Sequence, residues 1–480
     1  MTASVVVRSL VSVSLLCGFV LTGSARAEVL VRWDRDQVPS PDALGVSTLV
    51  IPAKNKAAAQ RALEQGYAVV LEVDAPSLAT FAPPAAGRVT GVIVKGTATR
   101  AQISALRLRL KPRGLTVRTL EERGKWPHIR SNWVTNENGV LQVSSRTQQP
   151  WIENNAALIK IAQVAQPDAT PLLTYPWTPI TLSDIQEGPA LENYLVAIAE
   201  SGSFGADLVL PLHERFENDL LLGLPQARAW WTDIRRTIAF YASNLPNRYQ
   251  AAATIGVVTA DPMRWFEVMN LLARHTLPFD LIPQDKFVAA YDLSKLTLVV
   301  MLEAPDARQV GVLTKFAENG GTVVLPGVQG KFPWQTSTPS AKTDTQTTFT
   351  VGKGRIVEHR DPPANPDAFA QQMRQLLGRD GRVMQTWNGI TVIAARYEAP
   401  AADTSHTALL TALNYSYQEL PLQVRVPGKF SAVQFESPET AMTLLPYQQR
   451  DGFTEFVIPA LRVGGRVFLT PDTAASAGSR

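Results

Sequence analysis

A chain of 480 residues and 52.3 kDa is too long for one hydrophobic core, and at roughly 150 residues per domain it calls for two or three. With 45% hydrophobic and 18% charged residues it falls in neither the disordered nor the membrane-embedded class. A formal charge of only +4 supplies no basic surface for nucleic acid.

The N-terminus carries Arg8, an apolar run from Leu10 to Leu21, and then Ala25-Arg26-Ala27, the pattern of a secretory leader over residues 1–27 with a mature chain from Glu28. The run is shorter than the ~20 residues that cross a bilayer, so no membrane span is expected once the leader is removed. Cys17 follows Leu16, where lipid attachment would need a small residue. The expected location is secreted or periplasmic. Removing the leader takes away the single cysteine, so packing and not disulfides must stabilise the fold.

Over residues 28–249, β-rich runs alternate with helical stretches, as in consecutive β/α units around a parallel sheet. Eight strands are predicted: Val29–Asp34, Thr48–Ala53, Ala68–Asp74, Gly91–Gly96, Leu115–Glu121, Leu141–Ser145, Leu172–Trp177 and Leu208–His213. The last helix, Ala229–Ala242, places Trp230, Ile234, Ile238 and Tyr241 on one face. Eight units over this length predict a TIM barrel.

Strand parity assigns the barrel interior. In the third strand Val69, Leu71 and Val73 face the helices, which turns Val70, Glu72 and Asp74 inward. Leu30, Arg32 and Asp34 point inward from the first strand by the same parity, as do Ile93 and Lys95 from the fourth. Arg32, Glu72 and Lys95 should therefore meet near the C-terminal mouth, either as a buried ion network or as a catalytic group with its partners.

Residues 250–382 read as an open α/β domain: strand Thr254–Ala260, helix Met263–His275, strands Phe279–Ile282 and Leu296–Leu302, helix Asp306–Asn319 stopping at Gly320-Gly321, and strand Thr322–Pro326. The first strand-to-helix turn, TADPM, lacks the glycines of a dinucleotide site, so no Rossmann cofactor is expected. Gln329–Thr348 reads as an exposed loop, Thr348–His359 as a strand pair turned at Gly352-Lys353-Gly354, and Pro366–Leu377 as a helix. From Val383 two-fold alternation with Pro/Gly turns predicts a β-sandwich over residues 383–471, ahead of a small, polar tail over 472–480.

The sequence contains no HExxH, no paired cysteines and only five scattered histidines, so no metal site is expected. It also lacks a GxSxG elbow and a GxxxxGK[ST] loop, which argues against acyl transfer and nucleotide chemistry.

What remains is carboxylates beside aromatics and amides, the side chains that sugar chemistry uses for acid/base work, ring stacking and hydroxyl recognition. The candidate catalytic carboxyl groups are Glu72, Glu121, Glu122 and Glu214. Candidate sugar contacts are Asp34, Trp126, Arg130, Asn132, Trp133, Gln149, Trp151, Asn154, Tyr175 and Trp177, which follow strand C-termini on the side where TIM-barrel sites are built. Each has a plainer alternative. Glu121 and Glu122 can pair with Arg118 or Arg123 on a solvated rim, and Trp151 and Trp177, beside prolines, can wedge loops onto the barrel. Trp126 and Trp133, without apolar partners at helical spacing, read as ligand platforms. Glu217 and Asp219 suit the N-terminal dipole of the next helix.

Residues Ala307–Pro326, ARQVGVLTKFAENGGTVVLP, and Val351–His359, VGKGRIVEH, resemble the helix, Asn-Gly-Gly and strand elements of the amidotransferase-like middle domain of bacterial β-galactosidases and related glycoside hydrolases. ALNYSYQELPLQVRVPGKFSAV followed by FVIPALRVGGRVFL resembles their C-terminal sandwich. The resemblance implies the order TIM barrel, amidotransferase-like domain, β-sandwich. A carbohydrate ligand or substrate and no cofactor are expected, and because the mature chain has no Cys and its strand-to-helix turns no serine elbow, the middle domain is expected to have a structural or assembly role, with a homo-oligomer as one outcome. The resemblance also implies an Asn-Glu pair after the fourth barrel strand and a Glu after the seventh. This chain reads VIVKG at Val92–Gly96 and LLTYPW at Leu172–Trp177, with no carboxylate at either strand end. Two readings follow: a glycoside hydrolase whose carboxyl pair has moved, or a non-catalytic carbohydrate-binding or scaffold protein on a hydrolase frame.

Overall fold

The computed structural model describes residues 28–84, 87–130, 134–137, 140–143, 151–179, 182–242, 250–288, 292–378, 383–399, 408–416 and 418–472. The first part contains β1 (Val29–Arg32), α1 (Pro41–Leu44), β2 (Thr48–Pro52), α2 (Lys56–Glu64), β3 (Ala68–Asp74), β4 (Val89–Lys95), α3 (Arg100–Leu110) and β5 (Thr116–Glu121). Four short strands follow, β6 (His128–Arg130), β7 (Val134–Glu137), β8 (Val140–Val143) and β9 (Trp151–Glu153). Then come α4 (Ala156–Ala165), β10 (Leu172–Thr174), α5 (Leu182–Glu187), α6 (Leu191–Phe204), β11 (Asp207–Pro211), α7 (Glu214–Leu221) and α8 (Pro225–Tyr241).

Seven of these strands close a parallel barrel in the order β1-β11-β10-β5-β4-β3-β2. The expected sixth strand, Leu141–Ser145, is not in it as far as its described residues go. Residues 140–143 pair antiparallel with β7, and β5 pairs directly with β10. The sequence joining β7 to β8 is Asn138-Gly139, the dipeptide most favourable to a tight hairpin, and this local turn chemistry prevails over a β/α reading of an alternating run. In α8 the contact face is also rotated by one residue: Trp231, Ile234 and Tyr241 are buried, while Trp230 and Ile238 are half-buried.

The interior is layered as strand parity requires. A middle layer of Leu30, Val50, Ile93, Leu120, Leu172 and Val209 packs with Val70. Two residues later along the strands lie Arg32, Glu72, Lys95 and Glu122, towards the C-terminal mouth, and two residues earlier Glu28, Arg118 and Asp207 form the floor. An apolar plug thus separates two ionic layers.

The second part holds β12 (Gln250–Ala251), β13 (Ile255–Thr259), α9 (Phe266–Arg274), β14 (Phe279–Pro283), β15 (Leu298–Met301), α10 (Ala307–Glu318), β16 (Thr322–Pro326), β17 (Ala341–Lys342), β18 (Gln346–Val351), β19 (Gly354–His359) and α11 (Pro366–Leu377). Its sheet runs β14-β13-β15-β16-β19-β18-β17, parallel through β19, with α9 and α11 in the core on one face and α10 in the core on the other. The stretch Gln329–Thr348 is only partly an exposed loop: Phe332 and Trp334 are buried with rings stacked at 4.8 Å, and Trp334 Nε1 donates to Glu358 at 2.7 Å.

The third part comprises β20 (Gln385–Trp387), β21 (Val392–Glu398), β22 (Ala408–Asn414), β23 (Leu420–Pro427), β24 (Phe430–Glu436), β25 (Thr443–Leu444), β26 (Tyr447–Arg450), β27 (Phe453–Leu461) and β28 (Gly464–Pro471). Two sheets, β12-β21-β22-β28-β24-β25 and β20-β23-β27-β26, enclose a core that includes Leu410, Leu422, Val424, Phe435, Phe456 and Val467. β12, from the segment leaving the barrel, completes the first sheet by pairing with β21.

Candidate functional site

The mouth layer begins with Glu72, near the C-terminal end of β3. Arg32 grips its carboxylate with Nε at 3.0 Å and Nη2 at 3.2 Å, and Lys95 Nζ stands 4.0 Å away. Lys95 also lies 3.9 Å from Glu122, whose other oxygen accepts the backbone N–H of Gly96 at 2.6 Å. Arg32 bonds Asp34 as well. Arg32, Glu72 and Lys95, which parity turns inward, do meet, Asp34 joins them as the same parity allows, and the structure adds Glu122.

Glu121 faces away from this cluster. Its carboxylate accepts from Arg123 Nε at 2.8 Å, Nη2 at 2.5 Å and the Arg123 backbone N–H at 2.9 Å. Burial raises its pKa, but these bonds and the guanidinium charge outweigh that and hold it below the usual value, the wrong direction for a proton donor. Glu214 opens α7 with its side chain 77% exposed and Arg35 3.7 Å away. Neither has the enclosed position of Glu72.

The mouth carboxyl group that the sequence assigns only to a helix dipole is Glu217. It is fully buried on α7, where Oε1 accepts the backbone N–H of Asp34 at 2.9 Å, and Oε2 has no hydrogen-bond partner among the described residues. Burial pushes its pKa up to about 8, against the opposing pull of the Asp34 N–H and of Arg35 and Arg32. A carboxyl group in the first turn of a helix reads as dipole compensation in sequence. Only the fold shows that it fastens the loop after β1 to the mouth.

The aromatic candidates pack inward. Trp126 is 5% exposed, with ring centroids 5.4 Å from Tyr194, 6.0 Å from Trp177 and 6.2 Å from Tyr175, so it does not present a stacking platform to solvent. Tyr175 is buried and donates to Glu200 at 3.1 Å. Asn154 is buried, its Oδ1 accepting from Ala156 N at 3.2 Å. Trp151, half-buried on β9, wedges against the core of the α/β domain and not against the barrel. The backbone of Arg130 pairs with Trp151 across β6 and β9. Asn132, Trp133 and Gln149 lie outside the described residues.

A second buried carboxyl group, Glu200 on α6, went unread. Oε1 accepts from Asn155 N at 2.9 Å and Tyr415 Oη at 2.8 Å; Oε2 accepts from Asn155 Nδ2 at 2.6 Å and Tyr175 Oη at 3.1 Å. Burial raises its pKa to about 7 despite those four bonds. Its sequence signal is a lone charge within the apolar run LVAIAESGSF. No group of three or more His, Cys, Asp or Glu among the described residues could hold a metal ion.

Neither a protein-family model nor a curated protein sequence matches this chain. Among solved structures, α-L-fucosidase isoenzyme 2 from Paenibacillus thiaminolyticus is similar over 93% of this chain and 100% of that one, with a TM-score of 0.55 and 10% identity. The fold is glycoside-hydrolase-like. The β-galactosidase from Bacillus circulans sp. alkalophilus covers 93% of this chain and 99% of its own, with a TM-score of 0.48 and 8% identity. The β-galactosidase from Rahnella sp. R3 covers 92% and 99%, with a TM-score of 0.44 and 10% identity. At such identities the likeness is one of fold alone. On this hydrolase-like frame the end of β4 is Lys95 followed by Gly96, and β10 ends at Thr174 followed by Tyr175.

Proposed function

We propose that this chain is an exported carbohydrate-binding protein on a glycoside-hydrolase frame, with a barrel mouth that receives a sugar without hydrolysing it. The observation that carries this reading is the state of the mouth carboxylates. Two-carboxylate hydrolysis needs one group free to give a proton and a second facing the anomeric carbon. Glu72 and Glu122 are instead held by Arg32, Lys95 and the Gly96 N–H, and Glu121 by Arg123. The open α/β domain is, in this reading, an amidotransferase-like unit with a structural or assembly role. The turn after β13 is tied shut by Glu303, which accepts from Thr259, Ala260 and Trp265.

The test is a panel of oligosaccharides for binding and of aryl glycosides for turnover. Saccharide retention without product release is expected, and weaker retention in Asp34→Asn, whose carboxylate is the exposed member of the cluster. Hydrolysis that a single carboxylate substitution abolishes would refute the reading.

One observation favours hydrolysis: Glu217 holds its proton up to about pH 8 within reach of the Arg32 and Asp34 charges. An acid of that kind can protonate a leaving group if α7 shifts to expose it. Turnover with a basic limb near pH 8 that disappears in Glu217→Gln would establish this second reading.

A further inference from the structure

The floor of the barrel holds an unbalanced charge cluster. Arg118 on β5 bonds the Asp207 carboxylate through Nη2, donates to the Thr170 carbonyl at 3.3 Å, and stands 3.4 Å from the Glu28 carboxylate. The other Asp207 oxygen, Oδ1, accepts from the backbone nitrogen of Glu28 at 2.6 Å. Asp207 has a side chain only 6% exposed, and burial raises its pKa in spite of Arg118 and the Glu28 N–H. Burial likewise raises that of Glu28 against the opposing charge of Arg118, with the Asp207 charge adding to the rise. Among the described residues the floor therefore contains one guanidinium against two carboxylates whenever the Glu28 nitrogen is an ordinary peptide N–H. A second cation at that nitrogen would balance it.

The sequence supplies a route to that cation. Ala25 and Ala27 put small residues three and one positions ahead of Glu28, the spacing that leader peptidases cut after. We propose that cleavage between Ala27 and Glu28 is a maturation step that completes the floor of the barrel, because it converts the Glu28 nitrogen into an ammonium group seated on Asp207. The reaction is hydrolysis by a leader peptidase. Water adds to the Ala27 carbonyl, the C–N bond breaks, Ala27 keeps the carboxylate, and the Glu28 amine takes up a proton. The new charge lies 2.6 Å from Asp207 Oδ1 with no movement of the chain, leaving two cations and two carboxylates. Charge-assisted bonds are roughly twice as strong as neutral ones, and this one gains further from the burial of Asp207. It also anchors the entry to β1, since the Glu28 carbonyl already accepts from Leu208 N at 2.9 Å beside the β1–β11 seam.

The experiment begins with export of the full-length chain and N-terminal sequencing of the product, which should start at Glu28. Two further chains are then released from a cleavable fusion, one beginning at Glu28 and one carrying a single extra glycine before it. In the extended chain the Glu28 nitrogen is an amide again and the ammonium sits about 3.8 Å further along. The extended chain should melt several degrees below the other at pH 7, and Asp207→Asn should erase the difference. If that variant does not fold, the pH dependence replaces it: the gap should close as the pH rises past the range of an α-amino group, about 8 or above. A mature terminus elsewhere, equal melting of the two chains, or a gap unchanged at high pH would each overturn the proposal.

Discussion

Glu72 and Glu217 are both buried carboxyl groups at the barrel mouth, but only Glu72 has a guanidinium in direct contact, and their substitutions should behave oppositely. Glu72→Gln strands Arg32 and Lys95 beside a neutral amide and should destabilise the fold by about 3 kcal/mol, the usual result of breaking a buried pair from one side. Thermal unfolding reads this without any substrate, and an unchanged melting temperature would mean that the network is not structural. Glu217→Gln keeps an oxygen for the Asp34 N–H and removes only the ability to ionise. The folded-state pKa of about 8 exceeds the ordinary value of 4.5, so between those pH values the native state holds a proton that the unfolded chain has released. The contribution is complete below pH 4.5 and is lost as pH rises towards 8, on the order of 5 kcal/mol across the window. Glu217→Gln should flatten that part of the stability curve; a slope identical to wild type would show that Glu217 does not titrate there. At this scale strand parity made Arg32, Glu72 and Lys95 legible, because the β period is two and the apolar face of β3 is unambiguous. Glu217 was not legible, since its burial depends on a loop 183 residues away in sequence.

Among the elements, α6 joins the most parts. It is buried almost all round, and Glu200 ties it to Tyr175 beyond β10, to Asn155 ahead of α4 and to Tyr415 beyond β22. Tyr415→Phe removes the one of these four bonds that comes from the sandwich. It should cost roughly 1–2 kcal/mol and push the Glu200 pKa further up, since a hydrogen bond to the charged form is lost. Hydrogen exchange should quicken in α6 and β22 together; protection unchanged in both would show that the bond does not hold the junction. The predicted helix at Pro366–Leu377 and strand pair at β18 and β19 match the structure because capping and turn residues mark their ends. The sixth barrel strand fails for the same kind of reason, since Asn138-Gly139 specifies a hairpin and the eight-unit reading overrode it.

For the whole molecule, order along the chain does not separate the parts energetically. The hydrophobic cluster outside the barrel strands continues through Tyr194, Ile198 and Tyr241 into Ile393, Leu413, Tyr415 and Val463 of the sandwich. β12 leaves the barrel and pairs at once with β21, and Tyr397 donates to the Ser203 carbonyl at 2.8 Å. The α/β domain shares less with the barrel: Ala157 and Ile161 of α4 enter its core, with Trp151 packed beside them, while the cluster around Val299, Leu313 and Phe349 is its own. Burial of this kind contributes about 25 cal/mol per Å² of apolar surface, so cutting the chain after the barrel would expose the outer face of α6 and leave the barrel without much of its stabilisation. We therefore expect calorimetry to give one transition for barrel and sandwich together, with the α/β domain melting in the same peak or in a separate one. A chain ending at Tyr241 should be insoluble or molten. If that truncated barrel folds with sharp cooperative melting, or if barrel and sandwich melt in separate peaks, the shared cluster around α6 is a contact surface between independent domains and not a common core.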